Sequence, residues 1–342
     1  MAPKRTILFL VLLIALNLSL EAELKKLLSI GSNQPHYLFM TVTGIVNDEE
    51  GNIYVADTGG SFIRKYSPQG NFIKEVGRYG QGPGEFSNSI GPLLYDGQNL
   101  YLKDDLNYRI VVLNKELNIK NYIKLRGLRT SLNKIDDFFY LISLKPGEPF
   151  QQVEIYNAQG DFVSSFFDER PDFLKGRTFS KEDYAVWMAF SGLVMATNPV
   201  SREIAVTFVN PGDKIQIFFY TKEGKFKNKI ETSHLIKYKF PEFRLHWPPK
   251  HPDKSTHLSI WAMHFMGPQR ILLDYWIIRY ELNKVTEEKH YLLVIDKSSG
   301  KLLHQEELAE SFTRPLNVSN DRLWALEIEG DIPKVTLYQL DY

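Results

Sequence analysis

A short hairpin recurs five times along the 342-residue chain, and it limits the possible folds more than any other feature. It reads "RKYSPQGNFIKEV", "VVLNKELNIKNYI", "EIYNAQGDFVSSF", "IFFYTKEGKFKNKI" and "LLVIDKSSGKLLHQE". Each copy has an apolar strand, a polar turn and a second strand, which is the pattern of a β-hairpin. Gly70, Gly160, Gly224 and Gly300 hold one turn position, and Leu117 stands there in the second copy. Glycine suits a site that needs a positive φ. Two more strands precede each hairpin, "TGIVND" and "NIYVAD" in the first unit, "IGPLLYD" and "NLYLKD" in the second. Gly44, Tyr54, Asp57 and Ile63 return as Gly91, Tyr101, Asp104 and Ile110, each 47 positions on. Four strands per unit at about this period specify a propeller.

A sixth unit, "PLNVSNDRLWALEIEGDIPKVTLYQLDY", holds only three strands, while "ELKKLLSIG", Glu23 to Gly31, is a strand without a unit. The expected fold is therefore all-β: a six-bladed β-propeller of four-stranded antiparallel blades, one domain over 23–342. Its last blade is closed by the N-terminal strand, which leaves no open sheet edge in the ring.

The stretch "GNIYVADTGGSFIRKYSPQGNFIKEVGRYGQGPGEF" resembles an NHL repeat of the kind found in bacterial six-bladed propellers. The resemblance covers about 41–125; later units rest on strand pattern alone. It implies the six-bladed ring and no single activity, because relatives include receptors, protein-binding modules, lyases and lactonase-like enzymes. Within it, "GRYGQGPGEF" matches no phosphate loop: there is no Gly-Lys-Ser/Thr ending, and Glu85 stands where a dinucleotide fingerprint needs glycine. The stretch is expected to cross from one blade to the next, with Phe86 plugged between them.

Lys4 and Arg5 precede the apolar run "ILFLVLLIALNLSL", and Ala22 offers a small residue for cleavage. Residues 1–22 read as a signal peptide, placing the protein in the periplasm or outside the cell. No second run approaches membrane length, so no stable span is expected after cleavage. Lysine plus arginine equals aspartate plus glutamate, 41 each, so no global field favours nucleic acid. There is no cysteine, which excludes disulfides and thiolate chemistry. A monomer is expected.

In a four-stranded blade, the turns between strands one and two and between three and four share one face. Those turns are short here, "NDEEGN" and "SPQG" for example. The long segments all fall on the other face, starting at Asp168, Thr232, Arg279 and Glu307. Loops on a rigid scaffold carry function, so that face is the expected binding face. The segment from Thr232 carries His234, His246, His251 and His257, with His264 beyond, among basic and aromatic residues. Gaps of 12, 5, 6 and 7 do not suit a histidine metal site. A basic, aromatic lid over the channel fits better, stacking on sugars or side chains and taking anionic groups; packing of these aromatics onto the propeller is the structural alternative. "SKEDYAVWM" reads as a short capped helix packed on the propeller.

Thr41, Thr43, Ser89, Arg129, Ser191, His264 and Arg314 are read as lying near the long-segment end, a set without carboxylates. A hard divalent ion requires oxygen ligands, so the set speaks against metal and for an anionic ligand. Asp48, Asp96, Asp136 and Asp321 read as turn residues. Asp57 with Arg64, and Asp104 with Arg109, read as ties between blades. No Gly-x-Ser-x-Gly elbow occurs. The expected ligand contacts are Arg129, His246, Trp247, His257, His264 and Arg314, with no metal or cofactor. The ligand is a small molecule, a glycan or a protein. The alternative is a lactonase-like or NHL-type hydrolase or lyase acting in the channel.

Overall fold

The computed structural model describes residues 24–127, 129–144, 151–170, 192–237, 254–282, 284–319 and 321–341. Every regular element among them is a strand. Blade one is β2 (Val42–Asn47), β3 (Ile53–Asp57), β4 (Phe62–Tyr66) and β5 (Phe72–Val76). Blade two is β6 (Ile90–Tyr95), β7 (Leu100–Asp104), β8 (Arg109–Leu113) and β9 (Ile119–Lys124). Blade three is β10 (Thr130–Ile135), β11 (Phe138–Leu144), β12 (Gln151–Tyr156) and β13 (Phe162–Phe166). Blade four is β14 (Leu193–Asn198), β15 (Glu203–Phe208), β16 (Ile215–Thr221) and β17 (Phe226–Thr232). Blade five is β18 (Lys254–Met266), β19 (Arg270–Glu281), β20 (Lys284–Asp296) and β21 (Leu302–Glu307). Blade six is β22 (Phe312–Ser319), β23 (Arg322–Glu329) and β24 (Ile332–Gln339), completed on its outer edge by β1 (Lys25–Ile30). Each sheet is antiparallel, with register Lys25↔Gln339 to Ile30↔Val335 closing the ring. The expected propeller and its N-terminal closure are what the chain forms.

The core lies between blades, not within them. Strand side chains alternate across the sheet, and here each face meets a neighbouring blade. Ile53 and Val55 of β3 pack with Trp324 and Val335 of blade six, whereas Tyr54 and Ala56 pack with Leu93 and Leu102 of blade two. The five positions of β3 and of β7 are all buried for this reason. The inner strands β2, β6, β10, β14, β18 and β22 adjoin one another in that order and close back on β2 around the channel.

The turn chemistry follows the repeat. Gly70, Gly160, Gly224 and Gly300 all take positive φ, and so does Leu117, at +59°. Asp48 caps its turn through Oδ1, accepting from Glu50 N–H (3.0 Å) and Asn52 N–H (2.8 Å), and Tyr54 Oη donates to its Oδ2 (2.8 Å). Asp96 repeats this with Gln98, Asn99 and Tyr101. In the crossover from Gly77, Phe86 is fully buried against Ile63 and Ile90, between blades one and two. Its neighbour Glu85 pairs with Arg78 and accepts from Gly82 N–H (2.9 Å).

Blade five departs from expectation. The segment from Arg279 is not a loop: β19 and β20 run on through it as a hairpin, Arg279↔Glu287 and Glu281↔Lys284. Residues 254–257 join as a third strand, Lys254↔Glu281 to His257↔Ile278. Strands of 12 and 13 residues replace the five to seven usual in blades one to four. The alternation of "KSTHLSI" and "IIRYELNKVTEEKHY" satisfies backbone groups by pairing, so the insertion rises above the long-segment face as an extended sheet. "SKEDYAVWM", His246 and Trp247 lie outside the described residues.

Candidate functional site

The site is built by irregularity in the inner strands. Five of the six break their pairing with a bulge: β2 at Thr43, β6 at Gly91 and Pro92, β10 at Ser131 and Leu132 and β22 at Thr313, each in the half nearer the long-segment face, and the longer β18 at Trp261, five residues from its short-turn end. A bulge leaves a residue unpaired and re-aims its side chain. Small residues stand at most of these positions. Gly91 takes φ +110°, and a Cβ there would meet Thr43 Cβ at 2.6 Å, so adjacent inner strands approach closely.

Trp261 is the exception in size. It is 62% exposed, yet Ile260 and Met263 beside it and Asp274 and Tyr275 across from it are buried. At that level both faces of the blade are covered, so the exposed indole faces the channel and its mouth. No sequence argument singled it out; the signal available was a tryptophan within an innermost strand, where the other units carry small or aliphatic residues.

Arg314 follows the equivalent bulge of the next inner strand. It donates from Nη2 to the carbonyl of Val42 on β2, so it spans blades six and one. Its Nε is sealed and lacks a hydrogen-bond partner. Among the described residues no carboxylate lies within ion-pair distance of it. Burial pulls its pKa down, and Asp274 acts on it through space in the opposite sense. The described inner strands carry no Asp or Glu at all.

Behind Arg314 lies a polar cluster at the base of the raised hairpin. Asp274 of β19 is fully buried. Its Oδ1 accepts from Trp276 Nε1 (2.9 Å) and pairs with His290 Nε2. The Trp276 ring stacks on His290 at 4.0 Å, and Phe312 of blade six meets the imidazole edge-on. Asp274 Oδ2 and His290 Nδ1 are buried without a partner. Burial pushes the Asp274 carboxyl up, against the pull of His290 and Trp276. Leaving such groups unpaired costs about 1–3 kcal/mol each. This cluster, too, was missed in the sequence, because its members lie 16 residues apart on two strands.

The expected contacts separate. Arg314 and His264 stand on adjacent inner strands. His264 is not at the long-segment end: it pairs with Leu272, two residues from the close of β18 on the short-turn side. The longer β18 shifts the register, so counting back from the turn places it lower. Its Nε2 is sealed without a partner, and burial lowers its pKa to about 4. His257 belongs to the raised hairpin, edge-on to Tyr280 at 5.1 Å and near Ser255 Oγ (3.3 Å). Arg129 lies three blades away. Its Nε donates to Glu154 Oε2 (2.6 Å), and its carbonyl accepts from buried Lys103 Nζ (2.9 Å).

The repeated acids hold structure. Asp57 is fully buried and accepts from the N–H groups of Met40 (2.7 Å), Thr41 (3.0 Å) and Gly60 (3.1 Å). Asp104 accepts from Ser87 N–H (3.0 Å), Asn107 Nδ2 (2.9 Å) and Arg109 Nε (2.9 Å). Arg64 does not mirror Arg109: it pairs with Glu75 at 2.7 Å and donates to the Leu38 carbonyl. No group of three His, Asp or Glu is placed to share a metal ion among the described residues, and no helix among them is long and apolar enough to cross a membrane.

No family model and no curated protein sequence matches the chain. Solved structures do match in fold. A member of the DUF4221 family from Bacteroides vulgatus superposes with a TM-score of 0.60 at 12% identity, covering 93% of this chain and 98% of its own. A protein from Bacteroides fragilis, provisionally described as exported, gives 0.56 at 11%, covering 92% and 94%. Virginiamycin B lyase from Staphylococcus aureus gives 0.49 at 11%, covering 92% and 98%. The chain is similar to these in architecture: it is a six-bladed propeller.

Proposed function

We propose that this is an exported propeller that binds a ligand at the long-segment face, in the mouth of the central channel. The observation that carries the reading is Arg314, a half-buried cation at the mouth with one protein partner, the Val42 carbonyl, and no ion pair among the described residues. Buried charges are ordinarily paired, and perturbed, under-satisfied groups concentrate at functional sites. The bulged rim and the raised hairpin of blade five support it, since both mark the same end of the ring. Export rests on residues 1–22, read as a signal peptide, and agrees with the description of the Bacteroides fragilis neighbour. The NHL likeness of 41–125 stays a resemblance within this reading.

A hydrolase or lyase in the channel would need an acid, base or ligand set there. Described inner strands without Asp or Glu offer no carboxylate for a metal or for acid–base work, and the inner-strand His264 is sealed at Nε2, which favours binding over that alternative. Hydrogen–deuterium exchange on protein incubated with a metabolite panel tests the proposal. Binding should protect 37–41, 257–261, 276–290 and 312–314. Protection confined to the short-turn hairpins at 48–52, 67–71, 96–99 and 114–118 would overturn it.

A further inference from the structure

We infer that the ligand of this mouth is a monocarboxylate with a flat apolar face, its charge held by Arg314 and its face laid on Trp261; the inference rests on the binding reading above. Three observations converge. The first is position. Trp261 and Thr313 are the bulged residues of neighbouring inner strands, and Arg314 follows Thr313 directly. The indole and the guanidinium therefore belong to one sector of the mouth, between blades five, six and one.

The second is chemistry. An indole 62% exposed on an innermost strand leaves its π-face available. Three of the other bulged side chains around the mouth, Thr43, Ser131 and Thr313, are short and polar. They leave room above the ring and supply hydroxyls at the rim. Of the guanidinium nitrogens, Nη2 is taken by Val42 and Nε is sealed. Nη1 carries no hydrogen bond among the described residues, so it is the atom that meets the ligand.

The third is charge. With no Asp or Glu on any described inner strand, no carboxylate of those strands competes for Arg314. Asp274 stands behind it and acts on it through space. One cation with a carboxyl at its back suits one negative charge and disfavours a dianion such as a phosphate monoester. A charge-assisted hydrogen bond is about twice as strong as a neutral one, so the carboxylate is the group the site discriminates.

Calorimetric titration of the mature chain with 2-naphthoate, 2-naphthamide and 2-naphthylmethylamine tests this, since the three share one flat ring system. We expect naphthoate to bind about ten-fold or more tighter than the amide and the amine to bind weakest. Trp261→Ala should weaken naphthoate and amide together, and Arg314→Lys should shrink the ratio between them. Equal affinity for acid and amide, or preference for the amine, overturns the carboxylate assignment. If that binding is still lost in Trp261→Ala, the mouth remains the site and only the ligand class falls. Absence of binding by all three, with Trp261→Ala folded as the wild type, overturns the carboxylate class and leaves the broader reading to the exchange footprint.

Discussion

Replacing His264 with leucine should remove a pH-dependent weakness of the fold. The imidazole sits in the short-turn half of β18 with Nε2 sealed and unpartnered, and burial holds its pKa at about 4 instead of 6.5. A base whose folded pKa lies below its unfolded value binds fewer protons in the native state. Stability therefore rises with pH across the window from about 4 to 6.5 and falls as the solution is acidified through it. At about pH 5 the two pKa values give a cost of about 2 kcal/mol relative to neutral pH. Below the folded pKa the cost approaches ~3 kcal/mol. Urea unfolding followed by tryptophan fluorescence, for wild type and His264→Leu at about pH 8 and about pH 5, isolates this group by double difference. The wild type should lose about 2 kcal/mol more than the variant on acidification. At pH 8 the two should differ by less than about 1.5 kcal/mol, since the side chains are of similar volume. If both lose stability in parallel to within ~0.5 kcal/mol, the ring is hydrated from the channel. His264 would then be open to a ligand, contrary to the burial argument.

Phe86→Ala should cost about 3–5 kcal/mol in the same assay, because the ring is fully buried between blades one and two. Phe162→Ala, at 53% exposure, is its control and should stay within about 0.5 kcal/mol; a Phe86 loss no larger than the control would show that the crossover does not wedge the blades. A chain that starts at residue 31 lacks β1, which leaves β24 unpaired and blade six with an open edge. Size-exclusion chromatography should then show association or aggregation, since an unpaired edge recruits other strands; an unchanged monomer with unchanged unfolding would refute the role given to β1.

The ring was legible in the sequence because it is repetitive. A turn that demands positive φ shows itself as glycine in four copies, and the fifth, Leu117, accepts the strained conformation at the same place. The capping Asp48 and Asp96 were legible for the same reason, since each acts on neighbours a few residues away. What escaped was what breaks the repeat. The raised hairpin alternates too loosely, among charged residues, to be told from a loop; only pairing across β18, β19 and β20 makes it a sheet. Arg64 and Arg109 stand two positions apart in the repeat: Arg109 lies opposite Asp104, which captures it, whereas Arg64 lies opposite Val55 and pairs with Glu75. Asp274, Trp276 and His290 meet only through register, and register between strands of unequal length is not written in either strand alone.

The two faces of the ring differ for a physical reason. On the short-turn face, side chains are spent on each other across the blades: Tyr54 Oη and Lys65 Nζ both donate to the Lys115 carbonyl (2.9 and 3.1 Å), and Lys115 pairs with Glu49 and Glu50. Glu203 likewise joins Lys227 of its own blade to Lys297 of the next. Insertion there would break contacts that hold adjacent blades in register. On the opposite face the inner strands bulge, and most of their bulged side chains stay short. The raised sheet of blade five stands on three polar atoms that find no partner among the described residues: Asp274 Oδ2, His290 Nδ1 and Arg314 Nε. Sealing them unpaired carries a stability cost at that end. Structural need does not explain the cost, because apolar residues of similar shape would avoid it. The proposed recognition of an anion accounts for it, since an arginine that is already largely desolvated and held by the Val42 carbonyl can meet an anion with little further reorganisation.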